Sequence, residues 1–270
     1  MKKLLKVFLL LVYFFIGKSY ATEQIPDKLI YNKDTISIYS NPLEQKESLL
    51  IKDKTFWKLS CRSTACWRRY QATWELRNGQ LYLIKITSCC NPKLVADLNL
   101  IFKGEVNNQG IFAEWFTGRV IVPIGDKIYG EYIGYSNVHL YEDILEIKNG
   151  VKDKITRVDN TKTRITYLKS DKLTIELIRK LNKKILDEIW KKEFKLNFYI
   201  GVEADENRQV TSVIFDYKKE IHYEKEIQEI ILQINDWDIL YRHGEKTNLP
   251  WLYPVMIDKK KLREYKKHWR

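Results

Sequence analysis

Between Phe194 and Glu203 apolar and polar positions alternate strictly. Phe194, Leu196, Phe198, Ile200 and Val202 are separated by Lys195, Asn197, Tyr199 and Gly201. A period of two sends one set to each face of a strand, so this stretch predicts a half-buried strand. Residues 204–209 turn it, and Val210 to Tyr217 return. Upstream the period becomes helical. Leu177, Ile178, Leu181, Ile185, Ile189 and Trp190 recur at three and four, with lysines on the other face. That stripe predicts one helix from Lys172 to Trp190, capped by Ser170 and Asp171. A second helix starts near Tyr223 and carries Ile227, Ile230, Ile231, Ile234 and Trp237 on one side. Trp251 to Ile257 closes as a strand, giving the order α-β-β-α-β.

The first half reads as strands and turns. Lys28–Tyr31 and Thr35–Tyr39 predict a hairpin around Asn32–Asp34. Asn78-Gly79 predicts a second, because a type I′ turn needs positive φ at both central residues. That register sets Leu76 opposite Leu81 and Trp74 opposite Leu83 on one apolar face. A helical turn is expected over Asp97–Lys103. Strands are expected at Ile111–Phe116, Arg119–Ile124, Lys127–Tyr135 and Val138–Ile147, with Asn149-Gly150 turning the last toward Ile155–Val158. Short strands punctuated by Gly and Asn predict an antiparallel meander, a curved sheet or partial barrel. The chain is thus expected to be α+β. A β-rich domain at 22–158 is followed by a polar linker at 159–170, an α-β-β-α-β domain at 171–258 and a basic tail at 259–270.

Charge and the leader narrow the setting. Lys2, Lys3 and Lys6 precede an apolar run from Val7 to Gly17, and Ser19-Tyr20-Ala21 places small residues where a signal peptidase cuts. Cleavage after Ala21 is expected, and with it a periplasmic or secreted protein without a stable membrane anchor. A bilayer span needs about 18 apolar residues, more than Lys6 and Lys18 enclose. Losing residues 1–21 takes four lysines with it and lowers the net charge from +12 to +8. The remaining lysines are spread along the chain, as on a solvated surface. No nucleic-acid partner is expected; weak attraction to anionic lipid or polysaccharide is the alternative.

Cys61, Cys66, Cys89 and Cys90 cluster near one hairpin. In an exported chain an even set predicts disulfides. Three pairings are open. Two cross-links from Cys61 and Cys66 to the Cys89-Cys90 pair are favoured over a vicinal bridge, which distorts the peptide between its cysteines. The C-x4-C and CC spacings do not match the C-x2-C knuckles of zinc sites.

Trp57, Tyr129, Tyr132 and Tyr135 are candidates for an aromatic platform binding sugar rings, with core packing as the alternative. Glu75, Asp97, Glu105, Glu114 and Glu131 supply carboxylates, but no pair stands out. His139, His222, His243 and His268 lack ligand spacing, and no nucleotide or nucleophile-elbow motif is present. No catalytic residue, metal or cofactor is therefore expected.

Three segments carry a resemblance. Phe198 to Val213, Asn235 to Glu245 with Trp237 and Gly244, and Leu249 to Ile257 resemble the hairpin, helix end and final strand of the TonB carboxy-terminal domain. The likeness spans about residues 171–258. Ser40–Glu44 through Ser63–Trp74 also resembles a secreted family of double-membraned bacteria that commonly carries such a tail. The resemblance implies a protein partner in the cell envelope, such as an outer-membrane receptor, added as a strand to an exposed edge. The candidate edge is Trp251, Leu252, Tyr253, Val255 and Ile257. Pro250 and Pro254 lie an even number apart, so both missing donors fall on one side of it; if that side faces out, pairing is weakened and the alternative is a structural edge blocked against aggregation. With neither an anchor helix nor a Pro-rich spacer expected, direct energy transduction is not implied. The rival reading is a glycan- or surface-binding protein using the aromatic platform.

Overall fold

The computed structural model describes residues 22–46, 61, 63–107, 109–130, 134–168, 170–215, 223–247 and 252–265. The expected signal segment lies outside them. Among the described residues, no helix is long and apolar enough to cross a membrane. The chain divides into two units, one of Met1–Asn137 with Asp143–Arg157 and one of Val138–Glu142 with Val158–Arg270.

In the first unit, β1 (Asp27–Tyr31) and β2 (Asp34–Ile38) join through Asn32 and Lys33, both at positive φ. β3 (Tyr70–Arg77) and β4 (Gln80–Ser88) turn at Asn78-Gly79, with φ 50° and 78°. Leu76 pairs with Leu81 and Trp74 with Leu83, as the turn chemistry requires. Trp74, Leu81 and Leu83 are core residues, and Leu76 packs against them. Then come α1 (Leu98–Ile101), capped by Asp97, and β5 (Ile111–Phe112). β6 (Gly118–Tyr129), β7 (Val138–Lys148) and β8 (Val151–Asp159) complete the sheet.

The strand order is β2-β1-β3-β4-β8-β7-β6, with β5 beside β4. Its two ends approach each other. Just beyond β2, the Tyr39 N–H donates to the Ile121 carbonyl (3.0 Å) and Ser40 Oγ accepts the Ile121 N–H (3.0 Å). Three expectations change. β1 runs parallel to β3, so the sheet is mixed rather than an antiparallel meander. The stretch 113–116 turns instead of extending, the Phe116 N–H closing on the Ala113 carbonyl (2.9 Å). The strands expected at 119–124 and 127–135 are one strand, β6, which ends at Tyr129. Gly150 is required: its φ is +76°, and a Cβ there would lie 2.6 Å from the Ala113 carbonyl oxygen.

The parallel pairing has a physical anchor. Asp27 is fully buried at the start of β1. Its carboxylate accepts from Arg68 Nη1 (2.7 Å), the Ala72 N–H (3.0 Å) and Trp74 Nε1 (3.0 Å). Arg68 is itself buried and donates on to the Ile25 carbonyl (2.7 Å) and the Tyr135 hydroxyl (2.8 Å). A buried charge stays only when paired and hydrogen-bonded, and this set lashes β1 to β3. The disulfides sit beside it. Cys61 joins Cys90 and Cys66 joins Cys89, at Cα separations of 5.5 and 6.4 Å. They are the two cross-links, not a vicinal bridge, and they fit an oxidising, extracytoplasmic compartment.

In the second unit, α2 (Lys172–Lys180) and α3 (Lys183–Lys191) replace the single expected helix. Leu181 is extended, and the Asn182 side chain accepts the Lys184 N–H (2.9 Å), capping α3. The apolar stripe continues across the break through Leu177, Leu181, Ile185 and Ile189, all buried. β9 (Leu196–Ala204) is central, flanked by β10 (Val210–Phe215) and β13 (Leu252–Ile257). Between them lie α4 (Glu224–Leu232) and a hairpin of β11 (Leu240–Arg242) and β12 (Glu245–Thr247), turned by His243-Gly244 at positive φ. α5 (Lys259–Glu264) follows β13.

Two segments expected as linker and tail are built into this unit. Asn160 is fully buried; it donates to the His139 carbonyl (3.1 Å) and accepts the Gly244 N–H (3.0 Å). Arg164 bridges Ile239. In α5, Leu262 is fully buried.

Asp27→Ala would strand a buried guanidinium, a change that costs about 3–5 kcal/mol. We expect a lower urea midpoint for the tryptophan-reported transition with its slope unchanged. Replacing Cys66 and Cys89 by serine opens a loop with a sequence separation of 23. The expected loss is about 3 kcal/mol, read in the same titration.

Candidate functional site

The three-stranded sheet of the second unit has one covered and one open face. Alternation on β9 buries Leu196, Phe198, Ile200 and Val202. Across from them β13 supplies Ile257, Val255 and Tyr253, opposite Leu196, Phe198 and Ile200 respectively. These close the inner layer against the helices. The other face pairs Pro254 with Tyr199, Met256 with Asn197 and Ile214 with Gly201. Tyr199, Ile214 and Met256 remain 48%, 50% and 50% exposed there. Half-exposed large apolar groups sharing one small sheet face form the kind of patch that marks a binding surface.

β13 is an end strand of that sheet, so one side of its backbone has no strand partner among the described residues. Proline lacks an N–H and sits in a strand with its nitrogen turned to the free edge. Pro254 therefore removes one outward donor, and Leu252 and Met256, two residues to either side, keep theirs. Of the expected edge residues, Tyr253, Val255 and Ile257 are buried and serve the core. They hold the edge in place, while Met256 and Pro254 point outward. Trp251 and Pro250 lie outside the described residues.

What positions β13 is a buried carboxylate. Asp238 is 2% exposed. It accepts the backbone N–H groups of Thr166, Tyr167 (2.8 Å) and Leu168 (2.6 Å), and the Tyr253 hydroxyl (3.1 Å). Its neighbour Trp237 is fully buried between Tyr167, stacked at 4.7 Å, and Tyr253, met edge-on at 5.0 Å. Sequence reasoning picked out Trp237 but missed Asp238. An aspartate after a tryptophan looks like any surface acid until the chain around it is folded.

α5 is held by a second acid. Asp171, expected to cap α2, makes no cap bond; Ser170 Oγ accepts the Lys172 N–H instead (3.4 Å). The Asp171 carboxylate receives the Tyr265 hydroxyl (2.6 Å) and Lys261 Nζ (3.3 Å). The Tyr265 hydrogen bond, with Lys261 beside it, holds the Asp171 carboxyl below its ordinary value. The same bond pushes the Tyr265 phenol up to about 12.

The aromatic platform does not assemble among the described residues. Tyr129 is 6% exposed. Tyr135 stacks on Tyr39 at 5.5 Å, donates to Asn41 Oδ1 (2.7 Å) and accepts from Arg68. Burial holds its phenol above the ordinary value. Tyr129 is interior to the first unit and Tyr135, half-buried, is engaged in its hydrogen bonding, which is the packing alternative. Trp57 and Tyr132 lie outside the described residues. Of the acids, Glu105 and Glu114 line one cavity of about 480 Å3 with Trp115, but both are exposed. Glu142 is buried against His243 Nδ1 (2.7 Å). Among the described residues, no three His, Cys, Asp or Glu side chains converge as a metal site.

Because the Asp171 carboxyl is depressed in the folded chain, its tie to α5 is complete above the ordinary value of 3.8. It is lost as pH falls below that value toward the depressed one. We expect Tyr265 ring resonances to shift through that acid range by nuclear magnetic resonance, and Asp171→Asn to abolish the shift. No protein-family model matches the chain, and no curated protein or solved structure is significantly similar to it.

Proposed function

We propose that the chain is a non-enzymatic periplasmic adaptor whose second unit binds a protein of the cell envelope by strand addition to β13. The observation that carries this reading is an end strand bordered by the exposed side chains of Tyr199 and Met256. In strand addition, backbone groups supply affinity and alternating side chains supply selectivity. Leu252 and Met256 offer outward donors and acceptors, and Pro254 offers its carbonyl alone. Met256 and Tyr199 would then meet the partner's side chains on the open face. The resemblance to the TonB carboxy-terminal domain points to an outer-membrane receptor or transport component as that partner. The two disulfides fit the same compartment. With Tyr129 and Tyr135 buried or engaged inside the first unit, no observation favours the glycan-binding reading.

A photo-crosslinking amino acid at Tyr199, on the same open face, is expected in intact cells to capture an envelope protein that the same group at exposed Leu100 in the first unit does not. Met256→Pro removes a further outward donor without touching the pairing to β9. A lost hydrogen bond is worth about 1 kcal/mol, so capture should fall roughly fivefold, whereas Met256→Leu should retain it. Equal capture at both sites, or capture indifferent to Met256→Pro, would refute strand addition.

A further inference from the structure

The second unit also carries a basic cavity that the edge of β13 does not use. It has a volume of about 510 Å3 and lies where the ends of β9 and β13 meet α3 and α5. Ile189 and Phe194 give it an apolar wall. Around that wall stand Lys192, Lys195, Lys259, Lys260 and Arg263. None of these five has an ion-pair partner among the described residues. The single carboxylate of the lining, Asp258, is engaged in accepting the Lys261 N–H (2.9 Å). Four positive charges are left in excess.

Two features set this arrangement apart from an ordinary solvated surface. The first turn of a helix is its positive end and favours carboxylates, yet α5 begins Lys259-Lys260-Lys261. Of these, only Lys261 finds acids, Asp171 at 3.3 Å and Glu264 at 3.5 Å. Asp258 caps this helix end, but the first turn behind it carries three cations and no acid. Second, two of the cations are held in position. Lys259 Nζ and the Arg263 guanidinium lie over the Trp190 ring, 5.1 and 5.8 Å from its centroid. Such contacts order long side chains while leaving their charge available to a ligand.

We infer that this cavity binds a phosphoryl group of at least two negative charges, carried on a body with an apolar or ring-bearing part that rests on Phe194 and Ile189. A single carboxylate would leave most of the excess charge unmatched. Lysine serves as a point-charge phosphate donor and arginine adds a planar fork. The volume lies within the range of small-ligand sites, about 300–1,000 Å3. A soluble phosphate ester and a phospholipid headgroup share this chemistry.

Titration calorimetry of the purified protein with pyrophosphate, and sedimentation with phosphatidylcholine vesicles with and without phosphatidic acid, test the inference together. Saturable pyrophosphate binding without vesicle binding assigns a soluble ester; sedimentation that depends on phosphatidic acid assigns a lipid headgroup. Whichever probe binds, Lys259→Glu combined with Lys260→Glu should weaken it at least tenfold. The unfolding midpoint should not fall, because carboxylates suit that helix end. Lys195→Gln should weaken binding without altering α5. Neither probe binding, or binding unaffected by the charge reversals, would overturn the proposal.

Discussion

The second unit is organised around the need to satisfy one buried carboxylate. Asp238, 2% exposed, is surrounded by three consecutive backbone N–H groups and a phenol. An ionised group out of water is tolerated only with such a complete set of donors. Meeting that requirement fixes residues 166–168 against the Trp237 loop and brings Tyr253 of β13 to the same point. The edge strand therefore inherits its position from a residue that does not belong to the sheet. Asp27 plays the corresponding part in the first unit. There the donors are Arg68, the Ala72 amide and the Trp74 indole, and the consequence is the parallel contact of β1 with β3.

These two residues also mark where sequence reading stops. Period and turn chemistry are local, so the alternation of β9, the Asn-Gly hairpin at 78–79 and the Ile227, Ile230 and Ile231 stripe of α4 were legible, while Ile234 and Trp237, expected on the same helix, lie beyond its end at Leu232. The choice of cross-links over a vicinal bridge was legible too. What escaped depends on groups distant in the chain. Asn182 looks like one more polar residue on a helix face, and its capping of α3 emerges only with the break. Within the polar stretch after β8, Asn160, Thr163 and the amides of 166–168 are answered by Gly244, Tyr241 and Asp238, while Asp159, Lys162, Arg164 and Ser170 stay exposed. The basic run at 259–261 hid a helix whose Leu262 is a core residue.

For Tyr129 and Tyr135, candidates for the aromatic platform with core packing as the alternative, the structure gives the packing role. Tyr135 accepts a hydrogen bond from Arg68, so its hydroxyl belongs to the Asp27 arrangement. Buried tyrosines are placed by their hydroxyl partners as much as by their rings.

For the edge of β13, the balance between protection and recognition turns on one nitrogen. Edge strands are commonly guarded by proline, because an uninterrupted row of donors invites unspecific pairing. Pro254 takes away a donor midway along the strand, but its carbonyl and the outward groups of residues 252 and 256 remain. A passing strand that offers only backbone thus finds a gap opposite its own carbonyl. A specific partner must make up the difference with side chains, and the open face supplies their counterparts in Tyr199, Met256 and Ile214. In the proposed strand addition, proline would shift affinity from backbone to side chains, so that an edge guarded against aggregation would still be one that a chosen partner could use.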